Sequence, residues 1–219
     1  MKLLDLFCCE GGAGTGYARA GFEVTGVDIE DRSERYPFTF VQADALAVLD
    51  DLDFVGQFDA IHASPPCQSY SAAFKHLATP QPMLIDPVRE RLIRIGKPWI
   101  IENVEGAPLG AQDDLFGSYG ALLCGTSFGL RVYRHRLFEA SFPVTGTVCA
   151  HTWPAMNPHN VAGRERIYAE HGRSDPEKVW AAEMGVEWMS RHGARESIPP
   201  VFTKHLGRQL LAQIEAVAA

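Results

Sequence analysis

The chain has 219 residues, of which 46% are hydrophobic and 21% are charged. These values are close to those of an average globular protein, and they exclude a chain that is disordered, collagen-like or a coiled coil throughout. The length predicts one domain, or one domain that carries a small additional lobe. The apolar runs are much shorter than the ~20 residues of a membrane span, so we expect no membrane partner.

The cysteine content and the N-terminal sequence predict a cytoplasmic protein. The five cysteines are an odd number, and Asp5 and Glu10 interrupt the first apolar stretch, where a secretion signal would be uncharged. We therefore expect free thiols in a reducing compartment. In that setting, a cysteine in an unusual local context is a candidate nucleophile.

The net charge of −7 is distributed unevenly along the chain. Residues 1–130 contain nine Lys and Arg against 18 Asp and Glu, whereas residues 131–208 contain 11 against eight, together with six histidines. A mildly basic C-terminal third is compatible with contact to a polyanion. A mixed, solvated surface explains the same charges equally well.

Short apolar strands alternate with helices in the first half of the chain. The patterns predict strands at 2–7, 22–27, 38–42, 58–63 and 98–101, and helices at 13–20, 45–52 and 83–95. This alternation is typical of a parallel sheet in an α/β fold, with ligands bound beyond the carboxyl ends of the strands. Residues 140–195 are irregular and rich in Pro, Gly, His and Trp, and an amphipathic helix follows from Pro199.

The first predicted strand ends in the glycine-rich turn Cys8–Gly12, directly before a helix. Glycines allow a ligand to approach the backbone closely, and the helix N-terminus offers free N–H groups. Asp28 ends the next strand, where a carboxylate suits a ribose diol. The pattern fits a nucleoside-bearing cofactor, and a tight turn with a capping acid fits it about as well.

Cys67 follows another predicted strand and the two prolines Pro65 and Pro66. Because prolines stiffen the backbone, they hold the thiol at a fixed position. The thiolate is the nucleophilic form, so we expect the surroundings to lower the pKa of Cys67. An inert loop cysteine is the alternative that the pattern leaves open.

Two later motifs also carry chemistry. Glu102 follows the apolar run Trp99–Ile101, so we expect partial burial to raise its pKa; a protonated Glu can bond the edge that cytosine presents. Arg134 and Arg136 lie on an alternating stretch and point to one face, where the pair suits a carbonyl oxygen together with a phosphate. The structural alternatives are a capping or salt-bridged Glu and a pair of arginines on an exposed strand face.

Together these motifs resemble the DNA cytosine-C5 methyltransferases. The resemblance rests on Asp5-Leu6-Phe7 with Gly11-Gly12, Pro66-Cys67-Gln68-x-x-Ser71, Glu102-Asn103-Val104 and Arg134-x-Arg136, in the order of the family. A weaker match relates Ser197–Leu210 to the last motif of the family, with Arg195-Glu196 where the family has Gly-Asn.

The resemblance implies a Rossmann-like class I methyltransferase fold, S-adenosylmethionine as cofactor and double-stranded DNA as partner. It implies that Cys67 attacks a flipped-out cytosine while Glu102, Arg134 and Arg136 hold the base. The residues implied at the cofactor are Phe7, Gly11, Gly12, Asp28, Ile29, Asp44, Pro66, Glu196 and Ser197.

The domain organisation follows from the change of pattern. Residues 1–139 and 196–219 are expected to form the catalytic domain, and residues 140–195 a small target-recognition lobe. The predicted DNA contacts are Gln68, Ser71, Arg164, Arg166 and Arg173. We expect a monomer from a bacterium or a virus-infected cell, with a role in restriction–modification or phage DNA modification.

Three alternatives stay open at this point. An RNA cytosine methyltransferase would share every catalytic residue, whereas a binding module of the same fold would lack turnover. The intact set Cys67, Glu102 and Arg136 argues against the binding module. Cys149-x-His151 and His159 are a weak zinc pattern. Ordinary loop residues are the favoured interpretation, so the sequence predicts no metal.

Overall fold

The computed structural model describes residues 1–70, 82–109, 119–151, 167, 170 and 175–218. The strands are β1 (Lys2–Leu6), β2 (Glu23–Asp28), β3 (Thr39–Gln42), β4 (Ala60–Ala63), β5 (Trp99–Asn103), β6 (Tyr119–Cys124) and β7 (His135–Ala140). They form one seven-stranded sheet in the order β3-β2-β1-β4-β5-β7-β6. Strands β1 to β5 pair in parallel, and β7 runs antiparallel to both β5 and β6.

Helices follow most of the parallel strands and continue after the sheet. They are α1 (Gly12–Ala20), α2 (Ala45–Asp50), α3 (Leu52–Val55), α4 (Ile85–Ile95), α5 (Pro176–Met184), α6 (Arg191–Glu196) and α7 (Pro200–Ala218). Side chains of Asp44, Asp175 and Ser190 cap the starts of α2, α5 and α6 by accepting backbone N–H bonds. Within the described ranges, no helix is long and apolar enough to span a membrane.

The predicted strands and helices of the first half are present, with two differences. The helix expected at 45–52 is split, because the Asp51 side chain accepts a bond from Phe54 N–H and starts α3. Strand β5 continues through Glu102 and Asn103, which were expected to follow it. Its extra length is paired with Phe138 and Leu137 of β7. The sequence analysis recognised the alternation at Arg134–Arg136, where this strand begins, but gave the strand no bounds.

The sheet is covered on both faces, because successive side chains of its strands point in opposite directions. Leu4, Leu6 and Ile101 face α2 and α4 in one apolar core. Leu3 and Ile100 face α1 and α7 in the other. This three-layer arrangement leaves the carboxyl ends of the parallel strands at one edge of the molecule.

Helices α1 and α7 approach each other at Gly16. A side-chain carbon at this position would overlap the Thr203 hydroxyl and the backbone carbonyl of Pro200. Thr203 Oγ1 also donates to the Ala13 carbonyl, 2.8 Å away. The first and last helices of the chain are therefore in direct backbone contact.

We expect Gly16→Ala to lower the free energy of unfolding by about 1–3 kcal/mol, as overpacking of a tight interface does. The helix-propensity gain of ~1 kcal/mol does not offset a collision with backbone atoms. Gly207→Ala, on the facing helix, should cost less, because its methyl would meet the Ala20 methyl and the Tyr17 ring at 2.9 and 3.0 Å, whereas at Gly16 it would overlap two oxygen atoms at 2.0 and 2.1 Å. Urea denaturation of both variants tests this, and an equal loss at Gly207 would contradict it.

Residues 175–196 form a small unit beside the sheet. The sequence predicted an irregular segment here, but α5 and α6 pack with Val132 and Ile167 around a core of their own. Glu10 ties this unit to the glycine-rich turn: its carboxylate accepts bonds from the backbone N–H and the hydroxyl of Ser190, at 2.6 and 2.5 Å. The segment directly after β7 stays on the sheet, where Phe142 is buried against the α1 and α7 side.

Candidate active site

A cleft opens at the carboxyl ends of β1, β2, β4 and β5, where the sequence predicted the ligand site. Many of the predicted site residues line it together with residues that the sequence analysis did not single out. The lining residues are Phe7, Cys8, Cys9, Gly12, Ala13, Asp28, Ile29, Glu30, Arg32, Ser64, Pro65, Pro66, Cys67, Gln68, Glu102, Arg136, Glu196, Ser197 and Ile198.

Three predicted site residues lie outside this lining. Gly11 turns the backbone before α1 with a φ of 87°. Asp44 caps α2 by accepting a bond from Leu46 N–H at 2.9 Å. Arg134 lies behind the cleft, where it donates to the backbone carbonyls of Arg195 and Ser197, both at 2.6 Å. Ser71, Arg164, Arg166 and Arg173 fall outside the described residues.

The turn after β1 is strained and fixes a carboxylate at one end of the cleft. Phe7 and Cys9 have φ angles of 57° and 47°, in the left-handed region that non-glycine residues seldom adopt. This conformation points Cys9 N–H at Asp28 Oδ2, 2.9 Å away. Asp28 Oδ1 accepts a second bond from Glu30 N–H at 3.0 Å. Each oxygen keeps a further acceptor position for a ligand hydroxyl.

This end of the cleft has the chemistry that a nucleoside needs. Ile29 is 70% exposed although it is a large apolar side chain, and it shares the cleft wall with the Phe7 ring. An apolar surface beside a fixed carboxylate suits a base and its ribose diol. Glu30 and Arg32, which the sequence analysis missed, form an ion pair of 2.6 Å in the same wall.

The other end of the cleft carries Cys67 on a braced turn. Asn103 Nδ2 donates to the Pro65 carbonyl at 2.8 Å, so β5 holds the two prolines in place. We expected the surroundings to lower the pKa of Cys67, and for the protein without a bound substrate this prediction is wrong. Burial raises the pKa of this thiol, and the positive charges of Arg136 and Arg134 oppose the increase without cancelling it.

Glu102 lies within β5 and is only 7% exposed. Arg136 Nε is 2.9 Å from Glu102 Oε1, and the two form an ion pair. Burial raises the pKa of Glu102, while Arg136, Arg134 and a hydrogen bond from Ser64 act in the opposite direction. Glu102 thus has a charged partner, and both side chains line the cleft.

A buried chain of hydrogen bonds runs behind Glu102 from α1 through β4. The Tyr17 hydroxyl is 3.0 Å from His62 Nδ1, and His62 Nε2 is 2.8 Å from Ser64 Oγ, which bonds Glu102. Burial lowers the pKa of His62 to about 3, so its ring is neutral. If Ser64 donates to Glu102, then His62 Nε2–H donates to Ser64 and Tyr17 donates to Nδ1.

Comparison with known proteins agrees with this geometry. Residues 1–109 match the family model described as C-5 cytosine-specific DNA methylase. The chain belongs to the C-5 cytosine-specific DNA methylase family. The matched residues include the turn after β1, Asp28, Cys67 and Glu102, so this assignment confirms the resemblance found in the sequence.

Two curated relatives of this C-5 cytosine methylase chain are bacterial. The Type II methyltransferase M.AgeI of Thalassovita gelatinovora is 29% identical over 172 residues, which are 63% of this chain and 38% of the relative. The Type II methyltransferase M.NgoPII of Neisseria gonorrhoeae is 32% identical over 79 residues, which are 33% of this chain and 23% of the relative. The matches thus span well under two thirds of either relative.

Solved structures of similar fold include methyltransferases from an animal and from a bacterial prophage. A DNMT2 variant of Spodoptera frugiperda has a TM-score of 0.58 and 14% identity, over 96% of this chain and 99% of that chain. A protein described as a DNA modification methyltransferase from an E. coli prophage has a TM-score of 0.60 and 15% identity, over 99% of both chains. The predicted Rossmann-like methyltransferase fold is therefore confirmed.

Proposed function

We propose that the protein is a DNA cytosine-C5 methyltransferase that transfers a methyl group from S-adenosylmethionine to a flipped-out cytosine. One observation carries the proposal: a single cleft holds Cys67, Glu102 and Arg136 at one end and Phe7 and Asp28 at the other. A nucleophile and a cofactor site must share one cavity if a methyl group is to pass between them. The names of the two curated relatives support methyl transfer, and the description of the family model supports C5 of cytosine in DNA as the acceptor.

The cofactor end of the cleft fits S-adenosylmethionine, which when bound supplies an electrophilic methyl group. Phe7 and Ile29 would contact the adenine, and Asp28 would accept bonds from the ribose hydroxyls. Ser197 and Glu196 close the same wall from the start of the C-terminal segment. Gly11, Asp44 and Pro66 remain predicted contacts.

C5 of cytosine is a poor nucleophile, and Cys67 would activate it by covalent catalysis. Its thiolate adds to C6, and the displaced electron pair makes C5 enamine-like. After C5 takes the methyl group, it loses its proton, the ring electrons return and the bond between sulfur and C6 breaks. The thiol starts with a raised pKa, so Arg136 and Arg134 act by stabilising the thiolate as the base displaces water.

Glu102 and Arg136 would hold the base during this addition. A protonated Glu102 donates to N3, where negative charge develops, and Arg136 donates to O2. Burial favours the protonated acid that this role requires. Arg134 supports the pair from behind by tying β7 to the connection between α6 and α7.

The target base must leave the DNA duplex before Cys67 can add to C6. C6 is shielded in a stacked duplex, and flipping a base costs a few kcal/mol. Gln68 lines the cleft beside Cys67 and donates to Glu196 Oε1 at 3.4 Å, a long contact that DNA can replace. Residues 140–195 are proposed to carry target recognition, with Ser71, Arg164, Arg166 and Arg173 as further predicted DNA contacts.

A methylation assay with labelled S-adenosylmethionine tests the proposal directly. Unmethylated duplex DNA and transfer RNA are offered in parallel, and bisulfite sequencing locates the product. We expect label on cytosine in DNA at one sequence context. Label on RNA alone would replace the proposal with an RNA methyltransferase, and tight binding without transfer would indicate a binding module.

Ser64→Ala should move the pH dependence of the reaction. The Ser64 hydrogen bond lowers the pKa of Glu102, so its removal leaves that pKa higher. Activity that needs protonated Glu102 is present below its pKa and lost as pH rises through it. The alkaline limb of a single-turnover profile should therefore shift to higher pH, with a moderate loss of rate.

Ser141→Ala is the matched control for this prediction. Ser141 accepts a bond from Trp99 N–H at 3.0 Å, at the other end of the strand that carries Glu102. Its removal should leave the profile in place. An unshifted alkaline limb in Ser64→Ala would show that the hydrogen-bond chain behind Glu102 is structural only.

A further inference from the structure

Four side chains converge outside the cleft, where β6 meets β7. Cys124 ends β6, and His135 begins β7 directly opposite it in the antiparallel pair. Cys149 and His151 come from the segment that follows β7. One ligand atom from each side chain, either Sγ or a ring nitrogen, lies within 4.8 Å of all the others.

Three of the six distances between the ligand atoms are close to the edges of a tetrahedral metal site. Cys124 Sγ is 3.4 Å from His151 Nε2, Cys149 Sγ is 3.4 Å from His135 Nε2, and the two Nε2 atoms are 2.9 Å apart. Tetrahedral zinc, with bonds of about 2.3 Å to sulfur and 2.0–2.1 Å to nitrogen, requires edges of about 3.6 and 3.4 Å. Shifts of a few tenths of an ångström would seat the ion.

The surroundings orient the ligand atoms toward the centre of the cluster. His135 Nδ1 is 3.2 Å from a Glu105 carboxylate oxygen. When Nδ1–H donates to that oxygen, Nε2 presents a lone pair to the cluster, as the histidine ligands of metals do. The Thr126 hydroxyl lies 3.0 Å from Cys124 Sγ and can donate to a thiolate there, and the Tyr133 ring packs on His151.

We propose that Cys124, His135, Cys149 and His151 bind one Zn²⁺ ion in a closed structural site. Two thiolates and two imidazoles form one of the standard ligand sets of structural zinc. The protein fills all four positions, so no position remains for water or substrate. This set differs from the pattern considered in the sequence, because His159 falls outside the described residues and Cys124 and His135 take part.

The position of the ion gives it a role in building the active site. His135 lies between Arg134 and Arg136, so a metal bond at His135 fixes the start of β7, with Arg134 directly before the strand and Arg136 within it. Cys149 and His151 belong to a segment already bonded to the outer strand of the sheet, where Thr147 N–H donates to the Leu122 carbonyl at 3.1 Å. The ion would fasten this segment across the strand ends.

The proposal is tested on the full chain, purified without chelators. Elemental analysis should find one zinc per chain. After exchange, Co²⁺ should give the intense visible bands of tetrahedral coordination and a thiolate charge-transfer band. Cys149→Ser and His151→Ala should lose the zinc and change these bands, whereas Cys9→Ser, a cysteine outside the cluster, should keep both.

Two results would overturn the proposal. The first is folded wild-type protein, checked by circular dichroism, that binds neither zinc nor cobalt. The second is a Cys149→Ser variant whose zinc content and cobalt spectrum match those of the wild type, since the metal would then be held elsewhere. If the variants do not fold, the charge-transfer band of cobalt in the wild type still decides whether thiolates bind the ion. Neither the zinc content nor the cobalt spectrum depends on methyl transfer.

Discussion

Replacing Cys67 with serine should abolish methyl transfer while the fold and cofactor binding survive. The serine hydroxyl has nearly the size of the thiol but is a far weaker nucleophile at neutral pH, so addition to C6 stops. The braced turn around Pro65 and Asn103 does not depend on sulfur. We expect no product above background from the variant in a single-turnover assay and an unchanged far-ultraviolet circular dichroism spectrum.

A covalent trap makes the same test independent of rate. DNA with 5-fluorocytosine at the target should form a stable adduct with the wild type, because fluorine does not leave C5 as the proton does. Cys67→Ser should form none, whereas Cys9→Ser, which changes another partly exposed thiol of the cleft, should still be trapped. Normal methylation by Cys67→Ser, or by a wild type that yields no adduct, would remove Cys67 from its role.

Glu102→Gln should slow the chemical step by roughly 100- to 1,000-fold, the usual cost of losing one charge-stabilising contact in a transition state. The amide still donates to N3 but cannot neutralise the developing charge by moving a proton. Burial raises the pKa of Glu102, and the wild type should lose activity as pH rises through that value. The variant lacks this titration, so its alkaline limb should be flat. Cys67 titrates as well, so a bell-shaped wild-type profile belongs to the pair.

Glu139→Gln provides the matched control for that substitution. Glu139 is a buried acid of β7, and Arg89 donates to both its oxygens, at 2.7 and 2.8 Å. Weakening this ion pair should lower stability, measured by urea denaturation, and leave the pH profile unchanged. Identical profiles for wild type and Glu102→Gln, with rates within a few-fold, would make Glu102 a structural residue.

The parallel half of the fold could be predicted because its signals are local. Each strand from β1 to β5 contains a short apolar run, and polar residues follow where the strands end. Strands β6 and β7 could not be found in this way. In β7, the buried Glu139 and the partly buried Arg136 have charged partners that are distant in sequence, on α4 and β5. The strand therefore shows alternation at its start but no apolar run.

The same contrast between local and long-range signals applies to the residues of the candidate site. Cys67 and Glu102 were found because prolines and an apolar strand give each a distinctive local context. Tyr17 and His62 were not predicted. Nothing in the local sequence distinguishes a buried, neutral histidine in an apolar run, or its tyrosine partner, from ordinary core residues. The cluster of Cys124, His135, Cys149 and His151 was only half predicted, because strand pairing, and not spacing in the sequence, brings Cys124 and His135 together.

The contact between the two ends of the chain sets an order of events during synthesis. Ser197 and Ile198 form part of the cofactor wall, and Ser197 lies against Gly12 of the first helix. A ribosome makes Cys67 and Glu102 long before it makes that wall. An unfinished chain therefore carries Cys67 in a cleft that still lacks its wall at Ser197 and Ile198, the wall that the proposed function assigns to the cofactor. Contacts so distant in sequence also form late and slowly in folding, so the proposed methyl transfer requires that α7 has already docked on α1.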